Sequence, residues 1–456
     1  MLSKVISFAL SGLEGVPVEV ETDINKGMVS YELVGLPDAA VKESKERVRS
    51  AVKNSALRFP VSRITVNLAP ADIRKEGSHY DLPIAVSILK ASDQLPCDTE
   101  GTVFLGELAL DGTLRAVTGM LPMLISAKSK GFTRFIVPAA NAGEASFIAG
   151  AEVYALKSLG EVVALLTGTA QFAPVAHRSY DSVRGERKYD CDLSLVKGQR
   201  VAKRALEIAA AGGHNIILVG PPGTGKTMLA RCLPTIMPDM TFDEALEVTK
   251  IHSVAGELSE EGIVTLRPFR TPHHTATTVS LCGGGASRVR PGEISKAHCG
   301  VLFLDELPEY PRTALEALRQ PLEDRQITVT RAGGAATFPA DFMLCASMNP
   351  CPCGNYGSAE LVCTCTPSQI KRYRARISGP LLDRIDLQVE VDSVRYDDLA
   401  SDGAEETSAQ VKARVEAARA VQRERFSDEG IRTNAGMGEK QIKKYCRLSP
   451  ECEEVL

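Results

Sequence analysis

The chain has 456 residues, enough for about three domains at roughly 150 residues each and for more than one buried core. Hydrophobic residues make up 44% and charged residues 24%, which excludes global disorder and a fibrous repeat. Lys and Arg number 53 against 57 Asp and Glu, a net charge of -4; this excludes a uniformly basic nucleic-acid coat and leaves room for a local basic channel.

In chain order, residues 1–10 are mostly apolar, but Ser7 and Ser11 interrupt the run and Gly12 and Glu14 follow, so it reads as a strand and not a signal peptide. No segment approaches the ~20 apolar residues that span a bilayer, and a cytoplasmic protein is expected. Residues 1–168 alternate β-rich runs (18–21, 63–68, 102–105) with helical patterns at 39–53 and 81–92, which predicts one α/β domain. From 169 to 190 the chain turns polar without an apolar period and reads as an exposed linker. Alternating strands and helices resume over 191–391, a second α/β domain, and 392–456 begins a helical lid with an Arg-rich helix at 408–426.

The second domain opens with an apolar strand, residues 215–219, that runs into Gly220-Pro221-Pro222-Gly223-Thr224-Gly225-Lys226-Thr227 and then an apolar helix start. The spacing is G-x-x-x-x-G-K-[ST]. Glycines let backbone N–H groups wrap phosphates, Lys226 suits the β and γ oxygens, and Thr227 offers a hydroxyl to Mg²⁺ at the helix N-terminus. An ordinary Gly-rich turn is the competing reading. The apolar strand 300–304 ends in Asp305-Glu306. In a nucleotide site Asp305 holds Mg²⁺ through water and Glu306 polarises the water that attacks the γ-phosphate; a helix N-cap is the alternative. A further apolar strand, 342–348, ends in Asn349, placed for a polar sensor of the γ-phosphate, or else for an Asn-Pro turn.

Next come Cys351-x-Cys353 and Cys363-x-Cys365, two thiol pairs that can supply the four thiolates of a structural Zn²⁺, with free or redox-active thiols as the alternative. Lys371, Arg372, Arg374 and Arg376 form a basic run that suits phosphates or a solvated face. Arg384 stands among carboxylates in residues 378–387, where it reads as an arginine finger for a neighbouring subunit's ATP or as an ion-pair partner of Asp383 or Asp386. These motifs together predict an ATP hydrolase. His273-His274 reads as a loop-ordering pair, since adjacent positions point apart.

Gly220 to Thr227, Leu304-Asp305-Glu306, residues 349–354 and 378–387 together resemble the magnesium-chelatase-like AAA+ family YifB/ComM. The likeness extends to residues 66–72, 196–199, 270–275 and 291–295. The resemblance implies a Lon-protease-like N-terminal domain, an AAA+ module with a pre-sensor hairpin, a C-terminal lid and hexameric rings. It also implies ATP-driven work on DNA, a helicase-like branch migration of recombination intermediates in natural transformation. The alternative is a magnesium-chelatase-type ATPase that remodels a protein partner. A nucleotide-gated scaffold without DNA is a third option. Family members usually continue past Leu456 with a second sensor arginine, so the lid is expected to be truncated.

Aligned on Lys75-x-Gly77, the Lon-type nucleophile position is His79, and Pro122 stands where the partner Lys would be. Ser78 then lacks an activating base, and the domain reads as a non-proteolytic scaffold in which Gly77 and Tyr80 have structural roles. Residues 326–330 and 337–340 flank Gly333-Gly334 as a β-hairpin with Arg331 near its tip. Its resemblance to pre-sensor hairpins implies a pore-facing position, with Arg288 and Arg290 in a second insert facing the same channel. Such cations would contact DNA phosphates without reading sequence. The chain has no Trp and 5% aromatic residues, so backbone electrostatics should outweigh base stacking.

Overall fold

A computed structural model describes residues 2–185, 189–259, 261–285, 289–331, 334–358, 361–393 and 405–455. Two sheets organise the mixed α/β fold. The first has seven strands: β1 (Leu2–Ser11), β2 (Glu14–Asn25), β3 (Ser30–Val34), β4 (Arg63–Ala69), β5 (Thr102–Phe104), β8 (Arg134–Pro138) and β9 (Glu152–Leu156), in spatial order β3-β4-β2-β1-β5-β8-β9. A short ribbon of β6 (Glu107–Leu108) and β7 (Leu114–Arg115) lies between β5 and β8 in sequence. β1 and β2 pair antiparallel from Leu2↔Asp23 to Ser11↔Glu14, leaving only Gly12 and Leu13 in the turn.

Both faces of this sheet are covered, and the period of two along β1 shows how. Val5 and Ala9 pack into the core under the helix Asp81–Ala91, while Phe8, with Ile6 and Leu10 beside it, packs under the helix Met120–Ser129. Ser7 falls among the first set and resolves its polarity by donating to the Phe104 carbonyl at 3.0 Å.

The second sheet is wholly parallel: β10 (Ile216–Val219), β11 (Phe269–Arg270), β14 (Val301–Leu304), β17 (Met343–Met348) and β18 (Leu387–Glu390), in order β11-β14-β17-β10-β18. Every residue of β14 and β17 is buried, as continuous apolar runs require when helices cover both faces. The register aligns Leu304 with Ala346 and Val219 with Met348. Gly220, Asp305 and Asn349 therefore leave neighbouring strands at the same edge, where ligands bind in open parallel sheets. This parallel-sheet core is the AAA+ type of domain the resemblance implies. Gln326–Arg331 (β15) and Gly334–Pro339 (β16) form the antiparallel hairpin, with Arg331 in its last pair, opposite Gly334. A smaller ribbon pairs β12 (Gly283–Gly284) with β13 (Arg290–Pro291).

Two readings need correction. The helix read over 39–53 is two helices, Ala39–Lys42 and Ser44–Asn54, that meet at Glu43. The stretch read as exposed linker holds a helix, Tyr180–Val183, whose Tyr180 and Val183 are buried beside Met240, Ala245 and Val248; two apolar positions three apart suffice to seat one turn. The helix Ser408–Arg425, expected to open the lid, packs on the parallel-sheet domain through Val411 and Val415, which enter the same core as Leu206 and Leu233.

The two halves meet along the helices Met120–Ser129 and Phe242–Ala255. Buried Glu144 accepts from the Leu121 N–H at 3.1 Å, Asn141 Nδ2 at 2.7 Å and Ser253 Oγ at 2.8 Å. Burial pushes its carboxyl above the ordinary value. Gly262 lies directly on this seam: a Cβ there would sit 2.0 Å from the Gly143 carbonyl carbon.

Candidate functional site

The loop 220–225 joins β10 to the helix Lys226–Ile236, so Lys226 and Thr227 occupy the first helical turn. Lys226 Nζ donates to the carbonyls of Gly220 at 2.7 Å and Pro221 at 2.6 Å, and lies 3.4 Å from Asn349 Oδ1. Burial pulls its ammonium below the ordinary value, with the Asp305 and Glu306 carboxylates opposing the shift. Thr224 Oγ1 donates to the Pro221 carbonyl at 3.0 Å and stiffens the loop. Gln199 spans from the Thr224 carbonyl to that of Asp392, at 3.3 and 2.6 Å.

Asp305 leaves the carboxyl end of β14 and accepts from Thr227 Oγ1 at 3.0 Å on one oxygen and from Ser347 Oγ on the other. Three hard oxygen donors, Thr227, Asp305 and Ser347, thus converge where the first turn of a helix meets two strand ends. That chemistry fits Mg²⁺, which takes few protein oxygens beside substrate phosphates. Glu306 has a left-handed backbone, φ 54°, and its N–H donates to Asp305 Oδ1 at 3.1 Å and Ser347 Oγ at 3.3 Å. A non-glycine residue held there is strained, as functional positions often are. Its carboxylate is half exposed and lies 3.7 Å from His274 Nδ1.

The structure thus brings Lys226, Thr227, Asp305, Glu306 and Asn349 together. Arg384 is elsewhere. Its carbonyl accepts from Asn215 Nδ2 at 2.8 Å, before the start of β10, whereas the phosphate loop follows the end of that strand. Four residues of strand put about 13 Å between the two ends. Neither Asp383 nor Asp386 pairs with Arg384. Its guanidinium meets Glu323 and donates to the Pro380 carbonyl at 2.5 Å, while Asp386 faces His214 Nδ1 at 3.0 Å.

Of the expected DNA contacts, Arg288 lies outside the described residues and Arg331 is placed only by its backbone pairing. Arg290 is exposed, yet it lines a cavity of about 450 Å³ with Asp38, Glu76, Ser78 and Glu107 of the N-terminal half. Those carboxylates compete with phosphate for its charge. In the basic run Lys371, Arg372, Arg374 and Arg376 are all exposed. Arg374 donates to the Pro350 carbonyl at 3.3 Å, and Arg376 pairs with Glu309 at 2.8 Å.

In the N-terminal half, His79 is buried with Nε2 2.9 Å from the Phe8 carbonyl, and Pro122 is buried in its helix. Lys75 Nζ donates to the Pro70 carbonyl. Ser78 Oγ contacts the Glu107 carboxylate, a neighbour the sequence reading did not foresee. Two neighbours of the candidate site were also missed. Ser347 is the one hydroxyl in an apolar strand, a signal available in the sequence. His274 carries no such mark, because its loop reaches Glu306 only through the adjacency of β11 and β14.

The four cysteine Sγ atoms of Cys351, Cys353, Cys363 and Cys365 lie within 4.8 Å of one another, so the cluster can take a metal ion.

Comparison with known proteins follows the same map. A family model described as magnesium chelatase, subunit ChlI, matches residues 192–399. Models for subunit ChlI of Mg-chelatase and for its C-terminal part match 20–141 and 405–456. The competence protein ComM of Haemophilus influenzae is 45% identical over 453 residues, 98% of this chain and 87% of ComM. The YifB protein of Escherichia coli is 44% identical over 452 residues, 99% of this chain and 87% of YifB. A magnesium-chelatase 67 kDa subunit of Chlorobaculum parvum is 30% identical over 161 residues, 34% of this chain and 23% of that subunit.

Proposed function

The chain belongs to the magnesium-chelatase-like YifB/ComM family, and we propose that it is a ring-forming, ATP-driven DNA motor. Its work would be helicase-like branch migration of recombination intermediates during natural transformation, in the cytoplasm and as a hexamer. The observation that carries the reading is the meeting of Lys226, Thr227, Asp305 and Asn349 at one edge of the parallel sheet. The competence role enters through ComM, named for competence and similar over nearly the whole chain. Among the described residues no helix is long and apolar enough to cross a membrane.

In this reading Lys226 and the loop N–H groups bind the ATP phosphates. Thr227 and Asp305 would hold Mg²⁺, which would neutralise charge on the transferring phosphoryl group. Glu306 takes a proton from the attacking water, and Asn349, beside Lys226, orients that water or the γ-phosphate. Ser347 keeps Asp305 aimed at Thr227. Arg384, at the far end of β10 from its own loop, serves a neighbouring subunit's ATP. Arg331, with Arg288 and Arg290, contacts the DNA backbone. The cofactors are ATP and Mg²⁺, with a structural Zn²⁺ on the four cysteines. The Lon-like N-terminal domain is a non-proteolytic scaffold.

The rival is a chelatase-type ATPase acting on a protein partner, which rests on the magnesium-chelatase family models over 20–141, 192–399 and 405–456 and on a 67 kDa chelatase subunit similar over 34% of the chain. ATP hydrolysis measured alone, with single-stranded DNA and with a branched junction separates the two. Stimulation by DNA is expected; a rate indifferent to every DNA, but raised by a protein partner, would favour the rival.

A further inference from the structure

Three Sγ separations in the cysteine cluster are 3.4 Å (Cys351 to Cys353), 3.7 Å (Cys351 to Cys363) and 3.6 Å (Cys353 to Cys363). A disulfide needs about 2.05 Å, and all four cysteines are free. Thiolates bound tetrahedrally to one ion at about 2.3 Å stand roughly 3.8 Å apart along each edge. The cluster therefore has the dimensions of a four-sulfur metal cage. With no oxygen or imidazole in the set, the donor chemistry selects Zn²⁺ over Mg²⁺ or Ca²⁺. The Tyr356 N–H points at Cys351 Sγ from 3.3 Å, the kind of backbone bond that eases the charge of a metal thiolate.

The loop that carries these thiols has little else to order it. Among the described residues of 351–365 only Cys351 and Gly354 are buried, and Leu361 and Val362 are exposed. Fixing such a segment costs about 1–2 kcal/mol of backbone entropy per residue, with little apolar burial beyond Cys351 to offset it.

Its position links it to the nucleotide site. Cys351 follows Asn349 by one proline, and Asn349 is the residue beside Lys226. Gly354 turns at φ 84° so close to Pro222 of the phosphate loop that a Cβ would lie 2.6 Å from the proline Cδ. At the other end Thr366 caps the helix Pro367–Arg374, from which Arg374 reaches back to the Pro350 carbonyl at 3.3 Å and lies 5.4 Å over the Tyr356 ring.

We infer that Cys351, Cys353, Cys363 and Cys365 hold one Zn²⁺, and that this metal knot braces the phosphate loop through Gly354 and Pro222, making ATP binding depend on the metal. The inference rests on the assignment of 220–227 as the ATP site.

The test uses the full chain. Zinc is counted by mass spectrometry, then withdrawn with a zinc-selective chelator while Mg²⁺ stays in excess. Affinity for a fluorescent ATP analogue is measured before removal, after removal and after zinc is restored. One Zn²⁺ per chain, and a reversible loss of affinity of at least tenfold, are expected. Circular dichroism distinguishes a local effect from unfolding, and Gly354→Val provides an independent arm. That variant keeps all four thiols and should retain zinc while losing nucleotide affinity. Absence of zinc from the purified protein would overturn the metal site. Zinc that leaves with affinity unchanged, or Gly354→Val binding ATP normally, would overturn the brace. Failure of the zinc-loaded protein to bind ATP at all is a separate result, since it removes the phosphate-loop assignment instead.

Discussion

Lys226 and Asn349, 123 positions apart in sequence, lie with Nζ and Oδ1 separated by 3.4 Å. The contact exists because β10 and β17 are parallel neighbours ending in register at Val219 and Met348. The cation proposed to hold phosphate and the amide proposed to sense it are thereby brought together by backbone pairing of two strands.

Lys226→Ala should weaken ATP binding by roughly 10- to 100-fold, the size of one or two charge-assisted hydrogen bonds. Glu306→Gln should keep ATP bound and slow its hydrolysis on the order of 10²- to 10⁴-fold, since only proton abstraction is lost. Equilibrium binding and single-turnover hydrolysis check the pair. Wild-type turnover in the Glu306 variant would show that another group is the base.

Mixing Arg384→Ala protein with Lys226→Ala protein should restore part of the hydrolysis that each lacks. In a mixed ring an intact loop can face an intact arginine. If no mixing ratio recovers activity, the Glu323 pairing of Arg384 is its whole role.

Incubated with ATP and an unfolded protein substrate, the chain should release no peptides. Ser78 has a carboxylate beside it and neither a lysine nor an available histidine to take its proton. Cleavage abolished by Ser78→Ala would make Glu107 a base and reverse this reading.

Arg331→Ala should weaken DNA binding about equally for unrelated sequences and lower the salt dependence by about one phosphate per engaged subunit. Affinities at several salt concentrations provide the measurement. An unchanged slope would take Arg331 off the DNA path.

Ser253→Ala should cost about 1–3 kcal/mol of stability by removing a donor from buried Glu144. Burial raises the Glu144 carboxyl in the folded state. Its stabilising share is therefore full below the ordinary carboxylate range and declines as pH rises through the folded value. Loss of the donor raises that value further, so the deficit should grow with pH. Thermal melts at pH 5 and pH 8 compare the two; equal deficits would mean that Glu144 does not ionise between them.

The candidate nucleotide site was legible where its residues are contiguous: Gly220 to Thr227, Asp305-Glu306 and Asn349 each follow an apolar strand that announces its own end. Partners that only strand order brings together were not. Ser347 reaches Asp305 from the neighbouring strand, and His274 reaches Glu306 from the loop after an edge strand of two residues, too short to show a pattern. Glu323 was passed over for Asp383 and Asp386 because sequence proximity is a poor guide where a helix folds back on a strand end. Tyr180 was read as exposed because one buried turn in a charged segment has no periodicity to detect.

At the seam between the halves, Gly262 rests on the backbone of Gly143 and Glu144 with no room for a side chain. Side chains can trade rotamers and let surfaces slip; two main chains in contact cannot. In the proposed motor, movement begun around a bound nucleotide would travel into the N-terminal sheet as torque on this joint. Two fluorophores placed across that joint should keep one separation in every nucleotide state, while the same pair placed between subunits of the proposed ring should not.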